Sequence, residues 1–303
     1  MSGSRNKGVA AVSGTTDITW RGLSGLRRLL GALSPRGVVR LGAGLGLLLR
    51  AFGGRRVNAA EERCARALGV GAGEARRIVR ESYANLGRSA AEFLSANGGG
   101  KVSSVMTLHG EEHLRRAFEK NRGVILFSGH IGNWEHGAAL LSELGYPMNA
   151  IGAEQRDDRV TSLIEELRAA RGVTTVGKGL DLRAAMRCLK RGELLAILID
   201  QDVRDRGVFV PFLGMPASTP FGMLRMAARL GSVVLPSFSL RRGRSAEHDL
   251  YILPSPWEEG APGPGESMEE AMTRCNDLVS GFIREHPEQW MWLYPRWASA
   301  GVV

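Results

Sequence analysis

Residues 123–136 read Gly123-Val-Ile-Leu-Phe-Ser-Gly-His130-Ile-Gly-Asn133-Trp134-Glu135-His136, and this stretch decides the fold class. Val124 to Phe127 is a short apolar run, β-branched at its start, the pattern of a strand buried on both faces of a sheet. Gly129 and Gly132 permit a tight turn, and Glu135 to Leu141 then resumes with helical spacing. Strand, turn and helix start in one line predict one unit of a parallel α/β sheet. Ligands of such sheets sit beyond the carboxyl ends of the strands, near helix N-termini. His130 falls there, with Glu135 five residues later in the expected first helical turn. An imidazole takes up a proton near neutral pH, and a carboxylate can fix its tautomer and stabilise its charged form.

The same alternation extends on both sides. Strands are expected over 148–152, 173–176 and 194–199, separated by helices over 135–144, 157–171 and 181–191. Upstream, Glu74 to Phe93 reads as an amphipathic helix, Val102 to Leu108 as a strand and Glu111 to Lys120 as a short helix. Downstream come a helix over Phe221 to Leu230, strands over Gly231 to Pro236 and Leu250 to Leu253, and a helix over Ser267 to Glu285. Arg241, Arg242 and Arg244 are expected to end a strand in water. No internal repeat or linker divides the block. The expectation is a single α/β domain over 58–303, its mostly parallel sheet covered by helices on both faces.

At 303 residues, with 44% hydrophobic and 23% charged residues, the composition is globular. Cys64, Cys188 and Cys275 form no Cys-x-x-Cys pair and no even framework, which speaks for a reducing compartment and against a zinc site or disulfide scaffold. The net charge of +9 is concentrated at one end: residues 1–60 hold ten Lys/Arg and only Asp17 as an acid, leaving 30 basic and 30 acidic residues beyond. Leucines, not aromatics, lie between these charges, so a nucleic-acid interface is not indicated. Residues 20–57 instead have the composition of a basic amphipathic helical segment lying on an anionic membrane surface. The uncharged run Leu41 to Leu49 is far short of the ~20 residues that span a bilayer. Residues 1–19, polar and rich in Gly, Ser and Thr, are expected to be a disordered tail.

Two more loops follow strands. The first reads Ala153-Glu154-Gln155-Arg156-Asp157-Asp158-Arg159, in which Asp157 or Asp158 suits a helix cap. The second runs from Asp200-Gln201-Asp202 through Gly207-Val-Phe-Val-Pro211-Phe-Leu-Gly214 to Ala217-Ser-Thr-Pro220. Its Asp-x-Asp pair invites a metal reading, but no third carboxylate has fitting spacing, and no metal or redox cofactor is indicated. Ser128-Gly-His130 lacks the glycines of a Gly-x-Ser-x-Gly elbow, so no serine nucleophile is expected.

His130-x-x-Asn133-Trp134-Glu135 behind an apolar strand resembles the His-x4-acid motif of the lysophospholipid acyltransferase superfamily, in its late lipid A acyltransferase branch. The block from Asp200 to Pro220 and the closing Pro287-Glu-Gln-Trp290-Met-Trp292…Arg296-Trp297 resemble that family too. The likeness runs from about Leu26 to Trp297. It implies transfer of a fatty acyl group from an acyl carrier protein or coenzyme A thioester to a hydroxyl of a lipid A precursor or related glycolipid. The location it implies is the cytoplasmic face of the bacterial inner membrane, with peripheral or N-terminal attachment. It implies His130 as general base with Glu135 orienting it. Asn133, Trp134, Glu154, Arg156, Asp200 and Gln201 would contact substrate. In the family the first loop carries an Arg before Asn-Pro; here that place falls at Ala153 or Glu154, with Arg156 the nearest arginine. The tail aromatics are expected to pack over the sheet. A His/Glu lipid hydrolase, a lysolipid acyltransferase and a non-catalytic membrane-binding module are the rival readings.

Overall fold

A computed structural model of the chain describes residues 6–95, 100–152, 155, 157–177 and 182–301. Four helices come first: α1 (Asn6–Gly31), α2 (Pro35–Ala51), α3 (Arg55–Leu68) and α4 (Ala72–Leu94). Alternation begins with β1 (Met106–His109), α5 (Glu111–Glu119), β2 (Val124–Ser128) and α6 (Trp134–Glu143). It continues through β3 (Met148–Ile151), α7 (Asp158–Ala169), β4 (Val173–Val176), α8 (Leu182–Lys190) and β5 (Leu194–Leu198). A hairpin, β6 (Val208–Phe212) and β7 (Met215–Thr219), precedes α9 (Gly222–Leu230), β8 (Val233–Arg241), β9 (His248–Ile252) and α10 (Met268–Glu285).

The seven-stranded sheet has the order β1-β9-β8-β2-β5-β3-β4, and every pairing in it is parallel except β8 with β9. The expected mixed α/β architecture is present. β2 shows why its sequence is apolar throughout: Val124 and Leu126 join a cluster with Leu140 of α6, while Ile125 and Phe127 join one with Val279 and Ile283 of α10. Successive strand residues face opposite sides, so a strand covered on both needs no polar position. The tail packs as expected, with Trp290, Trp292 and Trp297 buried around Phe212.

Three local expectations change. The stretch 208–219, read as loop, is an antiparallel hairpin turning at Leu213 and Gly214, both with positive φ (52° and 85°), as a two-residue hairpin turn requires. Pro211 and Pro216 stand opposite each other in it; proline is tolerated in a ladder with free edges. Second, β8 runs on to Arg241, whose side chain is buried against Glu92 rather than placed in water. Third, α1 includes most of the stretch expected to be a disordered tail. Its Asp17 pairs with Arg159 at 2.7 Å and Trp20 lies under the same guanidinium, contacts with α7 that composition cannot disclose.

The basic segment is helical. α2 packs on α4 through glycines: a Cβ at Gly46 would lie 2.0 Å from the Tyr83 carbonyl oxygen, and one at Gly87 2.1 Å from that of Gly42. Backbones therefore meet directly, while Leu48, Leu49 and Phe52 are exposed, as are Leu29 of α1 and Leu33 just after it. No single described helix is long and apolar enough to cross a membrane.

Candidate active site

Register builds the centre of the site. β2 and β5 are parallel neighbours with Ser128 opposite Leu198, so two residues beyond each strand His130 meets Asp200. The His130 Nδ1 lies 2.7 Å from Asp200 Oδ1, and the His130 backbone N–H donates to Oδ2 at 2.7 Å. Trp290 Nε1–H donates to the same Oδ2 at 2.8 Å. Burial alone would raise the Asp200 pKa, but the His130 charge and these hydrogen bonds outweigh it and hold the carboxyl below its usual range. With an ionised carboxylate on Nδ1, that nitrogen carries the proton and Nε2 is the one left to accept another.

The turn that carries His130 is clamped from several sides. Gly132 has φ +61°, and a Cβ there would lie 1.9 Å from the Ser239 carbonyl oxygen; only glycine fits. Its N–H donates to Gln289 O, its carbonyl accepts from Ser89 Oγ, and Met291 N–H donates to His130 O. Asn133 caps α6, its side chain accepting from His136 N–H at 3.1 Å and donating to Glu92 at 2.8 Å. Trp134 sets its ring edge-on to His130 at 4.9 Å.

Glu135 is placed differently from the expectation. The partner of His130 is Asp200, whereas Glu135 receives Arg168 in a two-pronged pair, Nε at 2.9 Å and Nη2 at 2.7 Å, with Trp134 Nε1 at 3.2 Å. The orienting contact therefore comes from the loop after β5, not from the first turn of α6. Chain proximity pointed to Glu135; the β2–β5 adjacency, invisible along the chain, selects Asp200.

His130, Asn133, Trp134, Glu135 and Gln201 all line one cavity of about 510 Å³, within the size range of ligand sites. Its remaining wall is mostly apolar, including Leu23 of α1, Phe93 of α4, Leu141 of α6 and Ile164 of α7. Asp200 lies behind His130 rather than in the wall. Glu154 and Arg156 lie outside the described residues. Sequence reasoning missed Arg168, Trp290 and Glu92; the Pro-Glu-Gln-Trp run was the available signal for Trp290.

Glu92, His136 and His248 bring donor atoms within 4.8 Å of one another, a spacing a metal could use. A guanidinium already fills the role of the cation: Arg241 donates to both Glu92 oxygens at 2.7 and 2.6 Å. The cluster is thus a buried ion-pair network. Burial pushes His136 down to about 3, so this imidazole is neutral. Asp200 and Asp202 do not share a ligand site either, since Asp202 is taken by Ser299 and the Arg204 N–H.

Comparison with known proteins agrees with this geometry. Residues 12–299 match the family described as Bacterial lipid A biosynthesis acyltransferase. The lipid A biosynthesis lauroyltransferase of Escherichia coli (strain K12) is 27% identical over 292 residues, covering 93% of this chain and 92% of that protein. The palmitoleoyltransferase of the same organism is 25% identical over 290 residues, covering 94% and 92%. A phosphatidylinositol mannoside acyltransferase of Mycobacterium tuberculosis (strain ATCC 25618 / H37Rv) is 22% identical over 194 residues, covering 63% and 59%. With a match across nearly the whole chain, this protein is an acyltransferase and belongs to the bacterial lipid A biosynthesis acyltransferase family.

Proposed function

We propose that the protein transfers a fatty acyl chain from an acyl-carrier thioester, on acyl carrier protein or coenzyme A, to a hydroxyl of a lipid A precursor or related glycolipid. The observation that carries this reading is the His130–Asp200 contact, with His130 in the wall of a mostly apolar cavity. Nε2 of His130 takes the proton of the acceptor hydroxyl as its oxygen attacks the thioester carbonyl carbon. The tetrahedral intermediate holds negative charge on the former carbonyl oxygen, and the positive N-terminal end of α6 favours that charge. The C–S bond then breaks, and the imidazolium returns its proton to the leaving sulfur. Asp200 keeps the imidazole in the required tautomer and stabilises its charged form. Glu135 acts one step back, holding Arg168 at the cavity wall. The acyl chain lies in the cavity, where its methylenes leave water at about 0.8 kcal/mol each.

Attachment to the cytoplasmic face of an inner membrane is part of the same reading. Leu29, Leu33, Leu48, Leu49 and Phe52 are exposed on α1, α2 and the short turns that follow them, and Arg28, Arg36, Arg40, Arg55 and Arg56 lie in the same segment; apolar surface among basic residues suits an anionic bilayer.

The test is His130→Ala, assayed with an acyl-carrier thioester in the presence and absence of a lipid acceptor. Transfer should fall at least ~10²-fold while the melting temperature holds. Full turnover by the folded variant would sink the mechanism, and acyl release to water without acceptor would make the protein a hydrolase.

A further inference from the structure

Asn133 must point one way for the site to be built. Its Oδ1 accepts from His136 N–H at 3.1 Å and its carbonyl accepts from Gly137 N–H at 3.2 Å. The N–H groups of Trp134 and Glu135, the first two residues of α6, make no hydrogen bond with any described residue, and both residues line the cavity. They are the donors left for negative charge that develops beside His130. With its amide turned over, Asn133 would set an NH2 against the His136 N–H, donor facing donor, and the cap would be lost.

The contact that holds the amide comes from α4. Glu92 Oε2 accepts from Asn133 Nδ2 at 2.8 Å. An ionised carboxylate only accepts, so it selects the NH2 end of the amide and leaves Oδ1 for the cap. Arg241 donates to both Glu92 oxygens, and His248 Nε2 lies 3.3 Å from Oε1. Arg241 is fixed in turn through its backbone: its N–H donates to Gln289 Oε1 at 2.7 Å, and its carbonyl accepts from Gln289 Nε2 at 3.0 Å. Gln289 O then accepts from Gly132 N–H. Glu92 therefore reaches the turn that carries His130 by two routes, directly through Asn133 and, by way of Arg241 and Gln289, through Gly132. A buried ion pair is often no more stabilising than apolar residues of the same volume. A directed acceptor for Asn133 is something apolar residues could not supply.

We propose that Glu92 is a positioning residue for the transfer reaction: it sets the side-chain orientation of Asn133 and, through it, the first turn of α6 beside His130. This rests on the reading of His130 as the general base.

Moving the carboxylate from one side of the contact to the other tests it. Glu92→Gln gives Arg241 the amide oxygen and turns an NH2 toward Asn133. At a temperature where the variant is fully folded, kcat should fall about tenfold with either KM little changed. Asn133→Asp sets two carboxylates against each other and should lose at least as much. Glu92→Gln combined with Asn133→Asp restores a donor facing an acceptor, with aspartate as the cap, and should recover most of the wild-type kcat. A merely structural role would change the folded fraction and leave the rate per folded molecule alone. Wild-type kcat in folded Glu92→Gln overturns the proposal, as do losses that simply multiply in the double variant. If Glu92→Gln does not fold, the double variant, which keeps the charge count, takes its place: folded but inactive, it overturns the proposal, and failure of both to fold assigns Glu92 to the fold alone. Transfer that survives His130→Ala sinks the general-base reading itself, whereas transfer lost there but kept in Glu92→Gln sinks only the role of Glu92.

Discussion

Charged pairs occur at two depths around the cavity, and the two sets behave oppositely. At its floor, Asp200 is 2% exposed against His130, and Glu92 and Arg241 are buried against each other. At its rim, Arg27 meets Glu166 at 2.9 Å and Arg159 meets Asp17 at 2.7 Å, with both carboxylates more than half exposed. The floor pairs have left water, so their geometry must be met in full, and removal of one partner strands a buried charge. The rim pairs remain solvated and screened, and such pairs contribute little. The same chemistry thus fixes the reacting histidine in one place and only rests α1 against α7 in the other. Leu23 of α1 lines the cavity, so this loosely held helix forms part of the substrate wall.

The sharpest way to break the comparison is at Asp200. Asp200→Asn keeps the shape but removes the charge that holds the proton on Nδ1 of His130. By analogy with other His–Asp pairs the rate should fall by roughly 10² to 10⁴-fold, with far less effect on either KM. Glu135→Gln should act mainly through Arg168 and raise KM instead. Steady-state kinetics on the two variants checks this. A wild-type rate in folded Asp200→Asn, or a larger rate loss in Glu135→Gln, would return the orienting role to Glu135.

That reversal shows which parts of the molecule are legible along the chain. The β2 run, the Gly129 and Gly132 turn and the capping position of Asn133 are local, and each could be placed from residue type and spacing. So could the alternation that yields a parallel sheet. The partner of His130 was not local: it depends on β5 lying next to β2 although β3 and β4 come between them in sequence. Asp200 was recognisable as a strand-end residue, but its contact required the strand order. Arg168 was hidden for a related reason, since an arginine inside an amphipathic helix looks like a solvent-facing residue until α7 is docked. Arg241 misled similarly, because a run of arginines after an apolar strand suggests a surface end, and only Glu92 from α4 draws the first of them inside.

Acid should separate floor from rim by a smaller but measurable margin. Three floor groups have folded pKa values below their unfolded ones: His136 at about 3, pushed down by burial, and Glu92 and Asp200, where burial acts upward but is outweighed, for Glu92 by Arg241 and His248 and for Asp200 by His130 and the hydrogen bonds it receives. For each, the unfolded chain binds a proton that the folded protein refuses, so stability is full above the unfolded pKa and falls on acidification. Loss should begin near pH 6.5, from His136, and steepen near pH 4, where the carboxylates join. It should amount to a few kcal/mol on the order-of-magnitude scale of such shifts. Urea midpoints measured across this range should therefore decline from about pH 6.5 in the wild type and stay flatter down to about pH 4.5 in His136→Gln. Parallel slopes in the two proteins would show that His136 is not the group that titrates.

The smallest effect should come from the rim, and its smallness is the point. Asp17→Asn combined with Glu166→Gln removes the two ion pairs described between α1 and α7, leaving Trp20 against Arg159 and Leu26 and Leu30 packed with Val38 and Ala91. Exposed pairs contribute little to global stability, so the melting temperature should hardly move. Local opening is a different quantity and has its own free energy. Amide hydrogen exchange over residues 17–31 should quicken several-fold in the double variant, while exchange in β2 and β5 stays as in the wild type. Salt provides the matching control. At about 1 M the screening length shrinks to about 3 Å, so the wild type should exchange in α1 as fast as the variant does, and the variant should show no further change. If α1 remains equally protected under both treatments, its apolar contacts alone hold it, and the cavity wall it forms is as fixed as the floor.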